Sequence, residues 1–335
     1  MIRRALATLL AVALAVFLLI GSWPQLFGVH RTLIFAELTA MRGLMVAVAL
    51  VAILFLIVVA LLSQALRRVS ALLALMLFGV VALNMAVLST RGFGDPSFQE
   101  KAPADLTVFT WNTLGDAPGA SVIADFALEH DVDILTLPET SREAADEIAA
   151  LMGQAGVPMQ VIVVALDELK SRSTALLVSE TLGAYRIDES AGSTPYLPSV
   201  TAVPVDGSGP TIIAAHPVAP IPGYIEDWEP GLEWLAESCR GENVILAGDL
   251  NSTLDHYQGL ADDGAALGAC FDGAKETGNA GLGTWPSQLP ELLGAPIDHV
   301  MATAEWEFVG FRVVGALDGL GSDHRAVLAQ LRPVG

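Results

Sequence analysis

Six short clusters of polar residues interrupt the mostly apolar stretch from 105 to 332: Trp111-Asn112-Thr113, Pro138-Glu139-Thr140, His216-Pro217, Gly248-Asp249-Leu250-Asn251, Ile297-Asp298-His299 and Ser322-Asp323-His324-Arg325. Their side chains are carboxylates, carboxamides and imidazoles. Carboxylate and amide oxygens are the donors preferred by a hard cation of the Mg²⁺ kind, and an imidazole beside a carboxylate moves protons near neutral pH. Singly, each cluster has an ordinary explanation. Asn112 reads as a turn residue, Glu139 as an acid at a helix start, His216 as a loop residue before proline, Gly248-Asp249 as a turn, Asp298-His299 as a surface pair and Ser322-Asp323 as a helix cap. Any shared chemistry rests on their order and on the elements that bring them together.

Those elements are strands, with the polar groups at their ends. Leu106–Trp111 and Asp133–Leu137 read as buried strands, separated by a helical pattern over 120–130 and followed by a helix over 141–152. Further strands are expected at 160–165, 174–178, 200–205, 211–215, 243–247, 297–302, 307–314 and 326–331, with a helix at 228–239. Loops beyond strand ends are where polar side chains converge without burying unpaired groups. Trp228 and Trp234 read as core residues, His299 as a packing or surface residue, and Gly283-Thr284-Trp285-Pro286 as a segment able to line the mouth of a cleft.

The order W-N, P-E-T, H-P, G-D-L-N, I-D-H, S-D-H-R resembles the endonuclease/exonuclease/phosphatase superfamily of metal-dependent phosphoesterases over about residues 105–332. The resemblance implies an α/β four-layer sandwich, two mixed β-sheets flanked by helices, with one catalytic cleft at the strand ends. It implies Mg²⁺, with Mn²⁺ as a substitute, held first by Glu139 with Asn112 and Asp323 adjoining. It places Asp249 where a carboxylate orients or deprotonates the attacking water. Asn251 falls where a neutral amide bonds the phosphoryl group, and His324 where an imidazole binds a phosphoryl oxygen or shares the work of the base. Asp298 is expected to hold the second nitrogen of that ring, and His216 to protonate the leaving group. The chain departs from the pattern at Pro138, where many members have Gln, at Ala215, where Asn often precedes the His, and over Ser193–Ser199, which lacks an often-found Arg. These departures touch the substrate-contacting surface and spare the catalytic groups.

The rest of the chain is of another kind. Of 335 residues 53% are hydrophobic and 16% charged, too oily for one soluble domain. Residues 1–91 carry seven Arg and one Glu, leaving ten basic and thirty-six acidic side chains for residues 92–335. Uncharged runs at 5–21, 43–62 and 69–88 are expected to be transmembrane helices, making 1–91 a membrane anchor, 92–104 a linker and 105–335 the catalytic domain. The first run could alternatively be a signal peptide, although no clear cleavage site follows it. Arg3, Arg4, Arg67 and Arg68 place the N-terminus and the short 63–68 loop in the cytoplasm. The body is then extracytoplasmic, with Arg91 and Lys101 weakly opposing. The spans hold only Thr8, Ser70 and Asn84 as polar interruptions, which favours an anchor over a transporter.

The reading is therefore a membrane-anchored, extracytoplasmic, metal-dependent hydrolase of phosphodiester or phosphomonoester bonds. A nuclease using the same site and a catalytically idle binding module on the same fold are the alternatives. Few basic residues argue against a track for long nucleic acid, so short or lipid phosphoesters are favoured as substrate. The lipid bilayer is the other expected partner, and no protein partner can be inferred. Cys239 and Cys270 fit either a disulfide, which an exported domain permits, or two buried thiols.

Overall fold

The structure, a computed structural model, describes residues 2–95 and 97–334. It begins with helices α1 (Ile2–Ser22), α2 (Leu33–Ala40), α3 (Arg42–Leu62) and α4 (Arg67–Arg91). Within them Arg4–Ser22, Arg42–Leu62 and Arg67–Arg91, of 19, 21 and 25 residues, are long and apolar enough to cross a membrane. At about 1.5 Å per residue each reaches roughly 28 Å or more. Helix α2 lies between the first two apolar runs, in a segment for which the sequence analysis expects no element. Its formation follows from tertiary packing, since Ala36 is fully buried in the core beneath the second sheet.

The remainder runs β1 (Leu106–Thr110), α5 (Ala120–Glu129), β2 (Ile134–Pro138), α6 (Arg142–Gln154), β3 (Met159–Ala165), β4 (Ser173–Ser179), β5 (Tyr185–Ile187), β6 (Val200–Pro204), β7 (Thr211–Ala215), α7 (Ile225–Ser238), β8 (Val244–Asp249), β9 (Phe271–Asp272), β10 (Asp298–Ala302), β11 (Trp306–Val314) and β12 (Ala326–Pro333). The strands form two six-stranded sheets, ordered β11-β12-β1-β2-β4-β3 and β5-β6-β7-β8-β10-β9. Within each, one pair is parallel, β1 with β2 and β7 with β8, and the others are antiparallel. The two-residue period of a strand sends successive side chains to opposite faces. Val108, Ile134, Ile212 and Ile245 therefore fill the layer between the sheets. Phe109 and Leu135 pack outward against Ile123 and Ile148 of α5 and α6, and Ile213 and Leu246 against Trp228 and Leu232 of α7. The result is the expected sandwich of two mixed sheets with helices outside.

Strands β5 and β9 have no counterpart in the sequence reading, being three and two residues long at sheet edges, too short for a period to show. Helix α7 begins at Ile225 rather than Trp228, with Glu226 and Asp227 in its first turn, where acids favour a helix start. Cys239 and Cys270 are joined in a disulfide, with Cα atoms 5.5 Å apart, beside the end of α7.

A buried carboxylate ties the apolar helices to the sandwich. Asp255, in the loop after β8, accepts from Arg42 Nε at 2.9 Å and Nη2 at 2.6 Å, and lies 2.9 Å from Arg91 Nη2. Burial alone would raise its pKa, but Arg91 and Arg42 hold it well below the usual carboxylate range. Arg42 also donates to Asn84 Oδ1 at 2.6 Å and to the Ser22 carbonyl at 2.9 Å, joining the ends of α1 and α3 to α4. This accounts for Asn84 in an otherwise apolar span. The 92–104 segment is fastened too: Asp95 N donates to Asn279 Oδ1 at 3.0 Å and Gln99 N to the Val309 carbonyl at 3.0 Å.

Candidate active site

Strand ends of both sheets meet at one edge of the sandwich and bring the polar clusters together. Asn112 and Glu139 follow the parallel strands β1 and β2, while His216 and Asp249 come from the corresponding ends of β7 and β8. Asp298, at the start of β10, is the cross-strand partner of Asp249, so both carboxylates lie on one face. The motif glycine Gly248 has φ +154°, and a Cβ there would run into the Ala215 carbonyl of β7. Only glycine lets β8 lie this close as it delivers Asp249.

The side chains form a connected network. Asn112 Nδ2 donates to Glu139 Oε1 at 3.1 Å and to Asp249 Oδ2 at 3.0 Å. Asp249 Oδ1 accepts from the Asn251 backbone N–H at 2.9 Å. Asn251, at φ +45°, turns its Nδ2 toward the Pro217 carbonyl at 3.0 Å. His324 Nε2 stands 3.7 Å from Asp249 Oδ2, and its Nδ1 is 2.9 Å from Asp298 Oδ2. His216 Nε2 is 4.0 Å from Glu139 Oε1, and its buried Nδ1 has no partner among the described residues. Glu139 adopts φ +58°, uncommon for a side-chain-bearing residue. It is fixed there by its N–H to the Ser173 carbonyl at 2.8 Å and by Thr113 Oγ1 to its own carbonyl at 2.8 Å.

Burial and crowding set the charges. Glu139 is raised above its ordinary pKa by burial, with Asp249 and Asp323 adding to the shift against Asn112. Asp249 is raised chiefly by burial, against the neighbouring His324. Burial by itself would lower His324, yet Asp298 and Asp249 outweigh it and push the ring up to about 10. His216, also buried, is pushed down to about 4. Asp323 has one oxygen held by Trp285 Nε1 at 3.0 Å and the other buried without a partner among the described residues. Hard oxygen donors that raise one another and leave a buried carboxylate oxygen unpaired suit a divalent cation. A tighter group, Asp249, Asp298 and His324, also has ligand-type atoms within 4.8 Å of one another. There, however, the His324–Asp298 hydrogen bond already uses one nitrogen and one oxygen.

The cleft above these residues has a volume of about 680 Å³ and includes Asn112, Glu139, His216, Asp249, Asn251 and His324 in its lining. Asp298 and Asp323 stand behind it. Trp285 reaches the lining as the sequence suggested, and Thr284 Oγ1 accepts from the Asp298 N–H at 3.1 Å. Trp228 is core, but its Nε1 supports the site by donating to the Asn251 carbonyl at 3.0 Å. His299 is a buried packing residue, 2.7 Å from Asp272 Oδ2.

Two charged residues of the lining, an arginine and a glutamate, escaped the sequence reading. Arg172 is the one Lys or Arg in the lining among the described residues; its place in a short basic cluster with Lys170 was the available signal. Glu37 enters from α2, more than a hundred residues from any motif, and nothing local marks it.

This fold and constellation define a phosphoester-hydrolysing class of protein. The Endonuclease/Exonuclease/phosphatase family model matches residues 109–324, and the chain belongs to that family. It is thus an enzyme of a divalent-metal-dependent hydrolase family acting on ester bonds. No curated protein matches it significantly. Among solved structures it is similar to an endonuclease/exonuclease/phosphatase from Beutenbergia cavernae, at 22% identity and TM-score 0.52, covering 69% of this chain and 72% of that one. It is also similar to D. rerio TDP2 complexed with single strand DNA product, at 14% identity, TM-score 0.51, and 68% and 99% coverage. A family protein from Leptotrichia buccalis gives 12% identity, TM-score 0.52, and 68% and 99% coverage. At these identities the structural likeness concerns the fold.

Proposed function

We propose that this chain is a membrane-anchored phosphoesterase working outside the cytoplasm on short or compact phosphoesters, using Mg²⁺ or Mn²⁺. The observation that carries the reading is the convergence of Asn112, Glu139, His216, Asp249, Asn251 and His324 on one cleft. Glu139 and Asn112, with Asp323 beside them, would hold the cation, which supplies charge neutralisation for the phosphoryl oxygens. Asp249, raised by burial, is the better base for the attacking water, because His324 stays protonated to about pH 10. The His324 imidazolium instead donates to a phosphoryl oxygen, held in place by Asp298. Asn251 adds a neutral contact. His216, neutral above about pH 4, offers a hydrogen bond to the leaving oxygen rather than a charge. A single Lys or Arg in the cleft lining among the described residues, Arg172, suits a compact phosphoester better than a long nucleic acid, whose binding draws on many Lys and Arg contacts.

The orientation is supported by where arginines are neutralised. Arg4, Arg67 and Arg68 lie at the ends of the spans away from the sandwich, whereas body-side Arg31, Arg42 and Arg91 are paired with Glu229 and Asp255. The disulfide fits the same compartment.

The test is hydrolysis of bis-p-nitrophenyl phosphate by the full chain in detergent. EDTA should abolish turnover, and Mg²⁺ or Mn²⁺ should restore it. Undiminished turnover in EDTA would remove Glu139, Asn112 and Asp323 from the role given them.

A further inference from the structure

A second cavity, of about 460 Å³, lies between α1, α3 and α4 at their sandwich-side ends. Its walls are almost wholly hydrocarbon, Phe17, Leu18, Leu44, Met45, Val48 and Leu77 among them, in segments of membrane-spanning length and apolarity. It borders the cleft: Glu37 and Met41 line both. The cleft changes character toward that border. Its floor is the carboxylate and imidazole network, while its outer wall toward α2 is apolar, with Ala40, Val218 and Ile221.

We propose that the groove between α1, α3 and α4 receives the hydrocarbon chain of a membrane phosphoester while its phosphate lies in the cleft, so that substrate enters sideways from the bilayer past Glu37 and Met41. The proposal rests on the phosphoesterase reading and narrows it to lipid substrates. A water-soluble nucleotide has nothing to place in an apolar groove. A lipid phosphoester has both halves the two cavities demand, and each would meet the environment it already prefers. The groove also holds a built-in control position. Gly21, on its wall in α1, has open space where a Cβ would stand, and so does Gly79 in α4, which does not line it. A Cβ meets no clash at either position, but only Gly21 borders the groove, so only there is leucine expected to occupy it.

The experiment has two arms, both with the full chain. In detergent micelles, turnover of hexadecyl p-nitrophenyl phosphate is compared with that of bis-p-nitrophenyl phosphate. The ratio of lipid-like to soluble turnover should fall roughly tenfold in Gly21→Leu, the factor expected when about two methylenes are kept out of an apolar site. It should be unchanged in Gly79→Leu. In vesicles, phosphatidylglycerol carrying a diazirine in one acyl chain should label Met45 on irradiation, and label there should be lost in Gly21→Leu and kept in Gly79→Leu. A ratio and a labelling pattern insensitive to Gly21→Leu would overturn the groove. Hydrolysis of neither ester, with Met45 labelling still lost in Gly21→Leu, would sink the phosphoesterase reading and leave the groove standing as a lipid site.

Discussion

Asp249 and His324 face one another at 3.7 Å from opposite protonation states, and the division of work between acid and base follows from that contrast. Asp249→Asn removes the base and His324→Ala the phosphoryl donor. Each is expected to lower kcat by roughly 10² or more, the scale of positioned acid and base groups; rates close to native in both would favour an idle binding module. The His324 ring also links the site to stability. Its pKa is raised from 6.5 to about 10 by Asp298 and Asp249 against burial. The stabilising contribution is therefore full below about pH 6.5 and is lost as pH rises through 10. Melting of the metal-stripped chain, followed in EDTA from pH 7 to 10, should fall more steeply for the native protein than for His324→Ala. Parallel curves would show that the ring is not held charged.

At the level of strands and helices, the sequence revealed what is local. Strand β1 and its Trp111-Asn112-Thr113 end, β2 and Glu139, and β8 running into Gly248-Asp249 each announce themselves within a few residues, because an apolar run and a polar break are enough to see them. What sits across the cleft from them was not visible. Helix α2 is set by contacts to residues two hundred positions away, such as the 3.2 Å approach of His256 Nε2 to the Ala36 carbonyl. The base proposed above, left open between Asp249 and His324 in the sequence, draws on burial and the Asp298 contact, which no local pattern carries. The Cys239–Cys270 link belongs at this level too, fastening the end of α7 to the loop before β9. On the loop-entropy argument, closing 31 residues contributes about 3 to 4 kcal/mol. Thiol counting on the unreduced, denatured chain should find no free thiol, and finding two would argue against both the bridge and an oxidising compartment.

Across the whole molecule, the apolar helices and the sandwich share a buried charge cluster. Asp255→Ala would leave Arg42, 3% exposed, without its carboxylate. Breaking one side of a buried pair costs about 3 to 5 kcal/mol, so the detergent-solubilised variant should melt well below the native chain. Equal melting would mean that the helices and the sandwich are independent. Asp255 lies four residues beyond Asn251, on the loop that follows Asp249 at the end of β8. The apolar helices are thus part of the tertiary structure that surrounds the candidate active site. Cutting the chain after Arg91 to make a water-soluble enzyme would strip away Glu37, Ala40 and Met41 from the cleft wall and uncover the apolar seat of Ala36. Such a fragment is a different object from the enzyme, and an assay on it would report on half a binding site.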